Sequence, residues 1–152
     1  MPRARREPQD ALTVRRATAR DVARLARWNR ELIEDEQHES APAPELLEGR
    51  MRGWLTEEYV ACVFEAKGVP VGYALFRELP EWVHVRHFFV ARDRRREGIG
   101  RRAFERLCAP VFPPGKRVLV EVLVQNAVAV AFWRSLGFGE RYVGMQFPAA
   151  TA

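Results

Sequence analysis

An arginine-rich turn is the first feature of the sequence that could do chemistry. The stretch RDRRREGIG (92–100) holds four arginines within five residues, followed by Gly98 and Gly100. It separates a predicted strand, WVHVRHFFV (82–90), from a predicted amphipathic helix. The first amides of a helix lack partners within it, and the helix dipole attracts anions. Glycines would let a phosphate reach those amides, and arginines would add charge-assisted hydrogen bonds. The stretch predicts either such an anion site or a solvated turn.

The composition fits one soluble globular domain with an anionic partner. The chain has 152 residues, 47% of them hydrophobic, and a net charge of +5. A modest excess of positive charge indicates a nucleic acid, a membrane surface or a phosphorylated small molecule. Cys62 and Cys108 each lie alone in an apolar context, so we expect buried reduced thiols and no metal site.

Several classes of protein are disfavoured by the arrangement of apolar residues. No run of 18 apolar residues is present, and no apolar segment follows the charged start, so we expect neither a membrane association nor a signal peptide. The aromatic residues follow strand and helix periods, which disfavours nucleic-acid binding. We therefore expect a cytoplasmic protein with a flexible basic tail (1–11) and a single domain (12–148).

Hydrophobic periodicity predicts the element order β-α-α-β-β-β-α-β-α-β. The first half is predicted to hold a strand near 12–17, a helix over 20–34 with Thr18 and Asp21 as a capping box, a helix from Pro44 and a hairpin over 59–76. The second half is predicted to hold the strand 82–90, a helix from Ile99, an apolar strand 116–126 buried on both sides, a helix over 126–138 and a last strand within 141–147. A strand, helix and strand in succession imply a parallel pair. The fold class is therefore α/β (α+β), with a mixed, mostly antiparallel twisted sheet flanked by helices.

Two motifs in the second half carry a family resemblance. RREGIG (95–100) follows FFV (88–90) and matches the pattern (Q/R)-x-x-G-x-(G/A), and Asn126 with FWRSLGF (132–138) follows one strand later. On these motifs the chain, from about Leu12 to Phe147, resembles the GCN5-related N-acetyltransferase superfamily. The resemblance implies the fold of that superfamily, with a shortened C-terminal hairpin, and acetyl-CoA as the acetyl donor.

The resemblance also implies a set of coenzyme-binding residues. The backbone of residues 95–101 would hold the CoA pyrophosphate, and the end of the fourth strand would bind the pantetheine arm as an added strand would. The amide of Val90 would polarise the thioester carbonyl. The complete set is Phe89, Val90, Arg95, Arg96, Gly98, Ile99, Gly100, Arg101, Asn126, Ala129 and Phe132, the last three on the opposite wall of the cleft.

Deprotonating the amine should need more help than releasing the thiol. A lysine-like amine has a pKa of about 10.4, so its neutral form costs about 4.6 kcal/mol at neutral pH, against about 2 kcal/mol for a cysteine-like thiolate. Many relatives use a tyrosine seven residues after the motif asparagine as general acid, where this chain has Trp133. Indole does not give up a proton at neutral pH. Tyr142 could replace that tyrosine or simply pack.

His84 and Glu121 are the candidate general bases. His84 falls where some relatives carry a catalytic glutamate, and its ordinary pKa of about 6.5 suits the role, although it could be an ordinary strand histidine. His87 lies on the other face by strict alternation, unless a bulge reverses it. Glu121 interrupts the apolar run VLVEVLV (118–124), where an unpaired carboxylate is costly, so it should face the cleft or pair with an arginine such as Arg86.

The acceptor implied is a primary amine of a small molecule or peptide, attacking directly in a ternary complex. Glu34, Asp35 and Glu36 could attract a cationic amine, or could be a solvated helix end. An alternative function is an acetyl-CoA-binding regulatory domain with little catalysis. A single strand after residue 140 would leave a sheet edge exposed, which a second subunit could cover in a homodimer.

Overall fold

The computed structural model describes residues 11–36 and 41–149. The predicted basic tail lies outside the described residues apart from residue 11. The helices and strands are β1 (Leu12–Arg16), α1 (Val22–Asp35), α2 (Pro44–Thr56), β2 (Tyr59–Ala66), β3 (Val69–Glu78), β4 (Trp82–Val90), α3 (Ile99–Arg106), β5 (Arg117–Val120) and α4 (Ala127–Ser135). Short 3-10 turns at Ala19–Asp21 and Arg92–Arg94 and a π-helical turn at Leu107–Val111 complete the regular structure.

The strands form one mixed sheet in the order β1-β2-β3-β4-β5. The first three pairings are antiparallel, and β4 pairs with β5 in parallel. The β2–β3 hairpin turns at Lys67 and Gly68, whose φ angles of 51° and 76° are the left-handed conformation that tight hairpins require. The predicted mixed, mostly antiparallel sheet is confirmed.

Helices cover both faces of the sheet. On one face, Val83, Val85 and Phe64 pack with residues of α3 such as Ile99 and Ala103. On the other face, residues of α1 and α2 pack over β2, β3 and the end of β4; this cluster comprises Val22, Leu25, Trp28, Met51, Ala61, Val63, Tyr73, Leu75 and Phe89. Full burial of each large apolar side chain contributes roughly 1.5–3 kcal/mol. The face covered by α1 and α2 is the one that presents the candidate base.

A buried capping box connects β1 to α1, as the sequence predicts. The amide of Thr18 donates to a carboxylate oxygen of Asp21 at 2.7 Å, and the Thr18 hydroxyl accepts from the amide of Arg20. Arg15 of β1 also binds Asp21, at 2.8 Å, and this contact is the main reason that the pKa of Asp21 falls to about 2. The charge is therefore satisfied although the side chain is buried.

A bulge in β4 places His84 and His87 on the same face of the sheet. Leu75 of β3 pairs with His87, but the next residue, Phe76, pairs with Val85, so Arg86 has no opposite residue on β3. Val85 before the bulge and Phe88 after it consequently pack on the same face. Strict alternation is therefore wrong for this strand: His84 and His87 both face α1 and α2.

Two predicted strands differ from the structure. The strand predicted over 116–126 is limited to Arg117–Val120, and it is an edge strand with only partly buried side chains. The last predicted strand does not form: residues 139–149 have no helix or strand, and Val143, Met145 and Phe147 are exposed. Apolar, β-prone residues favour a strand only when a neighbouring strand accepts their backbone hydrogen bonds. Cys62 is buried as expected, but Cys108 is exposed.

The chain divides into two compact units, Met1–Glu121 and Val122–Ala152. The first unit contains the sheet, both clusters and helices α1 to α3. In the second unit, the side chain of Asn126 caps α4 by accepting from the amide of Ala129 at 3.2 Å, and the helix ends before Gly137, whose φ is 100°. The predicted caps of α4 are thus confirmed, while the single domain over 12–148 stays a prediction. In the described part of the chain, every helix is too short or too polar to cross a bilayer.

Candidate active site

The turn after β4 is built by glycine and left-handed backbone. Arg96 and Gly98 have φ angles of 66° and 75°, which non-glycine residues rarely adopt. A Cβ atom added to Gly98 would meet no atom within 4 Å, so the glycine serves the backbone conformation and leaves open space beside it. The amide of Arg102 donates to the carbonyl of Gly98 at 3.2 Å, which starts the helix. The amides of Ile99 and Gly100 precede that bond, in the position where helices bind anions.

Two arginines of this turn bind the end of α1. Arg92 donates to Glu34 at 3.1 Å and to Asp35 at 3.0 Å. Arg95 donates to the other oxygen of Asp35 at 2.7 Å and to the carbonyl of Val90 at 2.9 Å. Glu34 and Asp35 thus form exposed ion pairs with these arginines at the end of α1. Their role is to fix the turn against α1.

The N–H of Val90 points to the edge of β4 beyond its last pair with β5, while the carbonyl of Val90 accepts from Arg95 at 2.9 Å. A Cβ atom on Gly72 of β3 would lie 2.2 Å from the carbonyl oxygen of Phe89, so that carbonyl points toward β3. Successive residues of a strand direct their N–H and C=O groups to opposite edges, so those of Val90 point toward the β5 side. The last pair between β4 and β5 joins Val85 to Val120. The Val90 amide thus lies beyond the end of β5, on an edge that an extended ligand could join.

The two candidate bases contact each other. Nε2 of His84 lies 3.4 Å from a carboxylate oxygen of Glu121, just past the end of β5. The His84 side chain is 14% exposed and the Glu121 side chain 66%. Burial lowers the pKa of His84, while the neighbouring Glu121 partly opposes this shift. Glu121 therefore pairs with His84 rather than with Arg86, and the imidazole is neutral and able to accept a proton near neutral pH.

His87 belongs to the packing of the sheet. Its Nδ1 lies 3.0 Å from the hydroxyl of Tyr73, and its ring contacts the edge of Trp54 with centroids 5.0 Å apart. Burial lowers the pKa of His87 to about 3. The side chain stays neutral and is already engaged, so it supports the site without being a candidate base.

Arg77 and Arg86 form a cationic wall beside His84 that the sequence did not reveal. Arg77 is the register partner of His84, and both arginines lower the pKa of that histidine. The guanidinium of Arg86 lies 4.9 Å from the ring centroid of Trp54, and it donates to the hydroxyl of Tyr59 at 3.4 Å. The sequence signals are an arginine inside the predicted strand 82–90, Arg86, and one directly after the predicted hairpin 59–76, Arg77.

The second unit contains the remaining predicted contacts. Phe132 and Phe138 each lie edge-on to Trp133, with centroids 5.0 Å apart, and Trp133 is buried. Trp133 thus contacts Phe132 and Phe138, at the position where the sequence resemblance leads one to expect a tyrosine. The side-chain oxygen of Asn126 is used in capping α4. Binding of the coenzyme by Asn126, Ala129 and Phe132 stays a prediction.

A strand edge followed by a glycine turn and a helix could bind an extended ligand that carries phosphate. The family model described as "Acetyltransferase (GNAT) family" matches residues 22–138, which is more than half of the 152 residues. The chain belongs to this family of acetyltransferases. None of the curated protein sequences matches the chain significantly.

Solved structures share the fold at low sequence identity. A possible acetyltransferase from Clostridium difficile 630 superposes with a TM-score of 0.75 and 17% identity, over 93% of this chain and 99% of that one. An aminoglycoside N-acetyltransferase in complex with CoA gives 0.70 and 13%, over 99% of each chain. A ribosomal-protein-alanine N-acetyltransferase from Brucella melitensis biovar Abortus 2308 gives 0.68 and 16%, over 91% of this chain and 100% of that one. These likenesses establish the fold.

Proposed function

We propose that the protein transfers the acetyl group of acetyl-CoA to a primary amine of a small molecule or peptide, by direct attack in a ternary complex. The observation that carries this proposal is the main chain of Val90. Its N–H points to the strand edge between the glycine turn and the His84–Glu121 pair, beyond the last pair with β5, while Arg95 binds its carbonyl. One strand edge thus leads from the glycine turn to a candidate base.

The residues of the turn fit the coenzyme. The amides of Ile99 and Gly100 would hold the pyrophosphate, with Gly98 leaving room for its approach. Arg96 and Arg101 would supply charge, whereas Arg95 holds the turn in place through Asp35. The N–H of Val90 would donate to the pantetheine arm, as an added strand would. Because strand residues advance by about 3.3 Å each, Val90 lies roughly 15–20 Å from His84 along β4, so an amine held at His84 would meet the thioester closer to the middle of the strand than to Val90. Bound acetyl-CoA supplies the activated acetyl group.

His84 would take the proton from the attacking amine. Its imidazole is neutral at the start, because burial disfavours the cation. Glu121, 3.4 Å away, would stabilise the imidazolium as it forms. No general acid is needed at the position of Trp133, because a thiol leaves as thiolate at a cost of only about 2 kcal/mol.

A second candidate function is an acetyl-CoA-binding domain with little catalysis, and Trp133 is the observation that favours it. Calorimetry with acetyl-CoA, followed by a thiol-release assay over amino acids, peptides, polyamines and aminoglycosides, separates the two functions. Binding with amine-dependent thiol release supports the enzyme. Binding without thiol release supports the alternative, and absence of binding would refute both.

A further inference from the structure

Two arginines of the sheet lie on the same side as the His84–Glu121 pair. Arg77 of β3 is opposite His84 in the register, and Arg86 follows His84 by two residues on β4. Tyr59 of β2 is in turn opposite Arg77. Three neighbouring strands therefore place two guanidinium groups next to the candidate base.

Aromatic rings hold these guanidinium groups in place without neutralising them. The guanidinium carbons of Arg77 and Arg86 lie 5.6 Å and 5.8 Å from the ring centroid of Tyr59. Arg86 is also 4.9 Å from the centroid of Trp54, and Trp54 and Tyr59 contact each other with centroids 6.3 Å apart. A ring restricts the motion of a cation above it but carries no net charge.

The positive charge of this wall is poorly compensated. Within residues 11–36 and 41–149, Arg86 makes no ion pair, and Arg77 makes one, at 3.5 Å, with Glu58, which is 77% exposed. The Nε atom of Arg77 is buried with no hydrogen-bond partner in that same part of the chain. A buried donor without an acceptor is unfavourable, so an acceptor brought by a ligand would relieve that cost. Glu121 is engaged with His84.

We propose that the amine acceptor carries a carboxylate, which binds Arg77 and Arg86 while its amine lies at His84; this inference rests on the proposed acetyltransferase function. Guanidinium groups bind carboxylates through paired, charge-assisted hydrogen bonds. The same groups repel polycations such as aminoglycosides. Amino acids and short peptides with a free C-terminus therefore fit this wall, although an aminoglycoside enzyme shares the fold.

The test compares acceptors that differ only in this charge. A panel of dipeptides is assayed as free acids and as C-terminal amides, with sisomicin as the polycation, using the wild-type protein and acetyl-CoA. The variants are Arg86→Gln, Arg77→Gln and the charge-retaining Arg86→Lys. Arg52→Gln is the control, because Arg52 is an exposed arginine of α2 paired with Glu48. Binding of each dipeptide to the protein with CoA is measured by calorimetry alongside kcat/KM.

We expect the wild type to prefer the free acid over the amide by about tenfold, chiefly through KM, since one charged hydrogen bond corresponds to about that factor. Arg86→Gln and Arg77→Gln should lower this preference toward one, Arg86→Lys should restore part of it, and Arg52→Gln should leave it unchanged. Equal use of acid and amide by the wild type, or faster use of sisomicin, would overturn the inference. Acetyl-CoA binding without binding of any free acid would also overturn the inference, while leaving the coenzyme site intact. Loss of acetyl-CoA binding itself would instead refute the proposed function.

Discussion

The turn after β4 and the middle of β4 use arginine in opposite ways. After the strand, Arg92 and Arg95 bind Glu34 and Asp35, and Arg94 binds Glu97 at 2.9 Å. Along the strand, Arg86 stacks on aromatic rings and has no ion pair among the described residues. The dense arginine run of the sequence is therefore largely neutralised from within, while an isolated arginine keeps its charge. A run of charged residues in a sequence can therefore overstate the charge available to a ligand. A single charged residue, by contrast, can keep its full charge available.

The largest expected effect is a loss of acetyl-CoA binding at the turn after β4. Gly100→Val places a branched side chain over the amides that precede the first bond of α3, so acetyl-CoA binding should fall by about a thousandfold, equivalent to two charged hydrogen bonds. Calorimetry measures the loss, and circular dichroism checks the fold. Gly49→Val is the control, since Gly49 is a glycine of α2 with open space around it, on a different helix from the turn. Normal binding by Gly100→Val would remove the turn from the coenzyme site.

The next largest effect concerns the rate of proton transfer at His84 in β4. His84→Ala should lower kcat by about a hundredfold, a typical contribution of a general base, without changing acetyl-CoA affinity. In the wild type, the lowered pKa of His84 keeps the imidazole neutral as pH falls through 6.5, so the acid limb of the rate profile should lie below that value.

Glu121→Ala tests the same pair from its other side. Glu121 acts to raise the pKa of His84, so its removal should move the acid limb to still lower pH and reduce kcat less than His84→Ala does. The rate profile from pH 5 to 9 measures both effects. Identical profiles for the wild type and both variants would exclude this pair from proton transfer.

The smallest effect contrasts arginines within the turn itself. Arg96→Gln removes a charge from an exposed side chain, so the KM for acetyl-CoA should rise by up to about tenfold at low salt. Arg92→Gln should change this KM by less than about twofold, because Glu34 and Asp35 already hold that charge. A larger change for Arg92→Gln would mean that its ion pairs open when the coenzyme binds.

The sequence predicted those parts of the molecule that depend on neighbours along the chain. The Thr18–Asp21 capping box, the Asn126 cap of α4 and the glycine turn at Gly98 all follow from residues within a few positions of each other. Local hydrogen bonds and the conformational range of glycine determine such features, so residue type and spacing are sufficient to find them.

The remaining features depend on contacts between distant segments. The salt bridges of Arg92 and Arg95 reach α1 across 57 and 60 positions, and the bulge at Arg86 depends on how β4 meets β3. The apolar residues after Val120 and near Met145 favour strands, yet β5 ends early and the last strand does not form in the described chain. Propensity alone cannot supply the backbone partner that a strand requires.

The bulge has a consequence for how this strand could change. Arg86 has no opposite residue on β3, so a β4 shorter by that one position would keep its ladder and the directions of both histidines. The β3–β4 ladder does not use this position, and the contacts of the Arg86 side chain are with the rings of Trp54 and Tyr59. Natural or laboratory evolution could therefore exchange or delete the cation there without shifting the register of the strand.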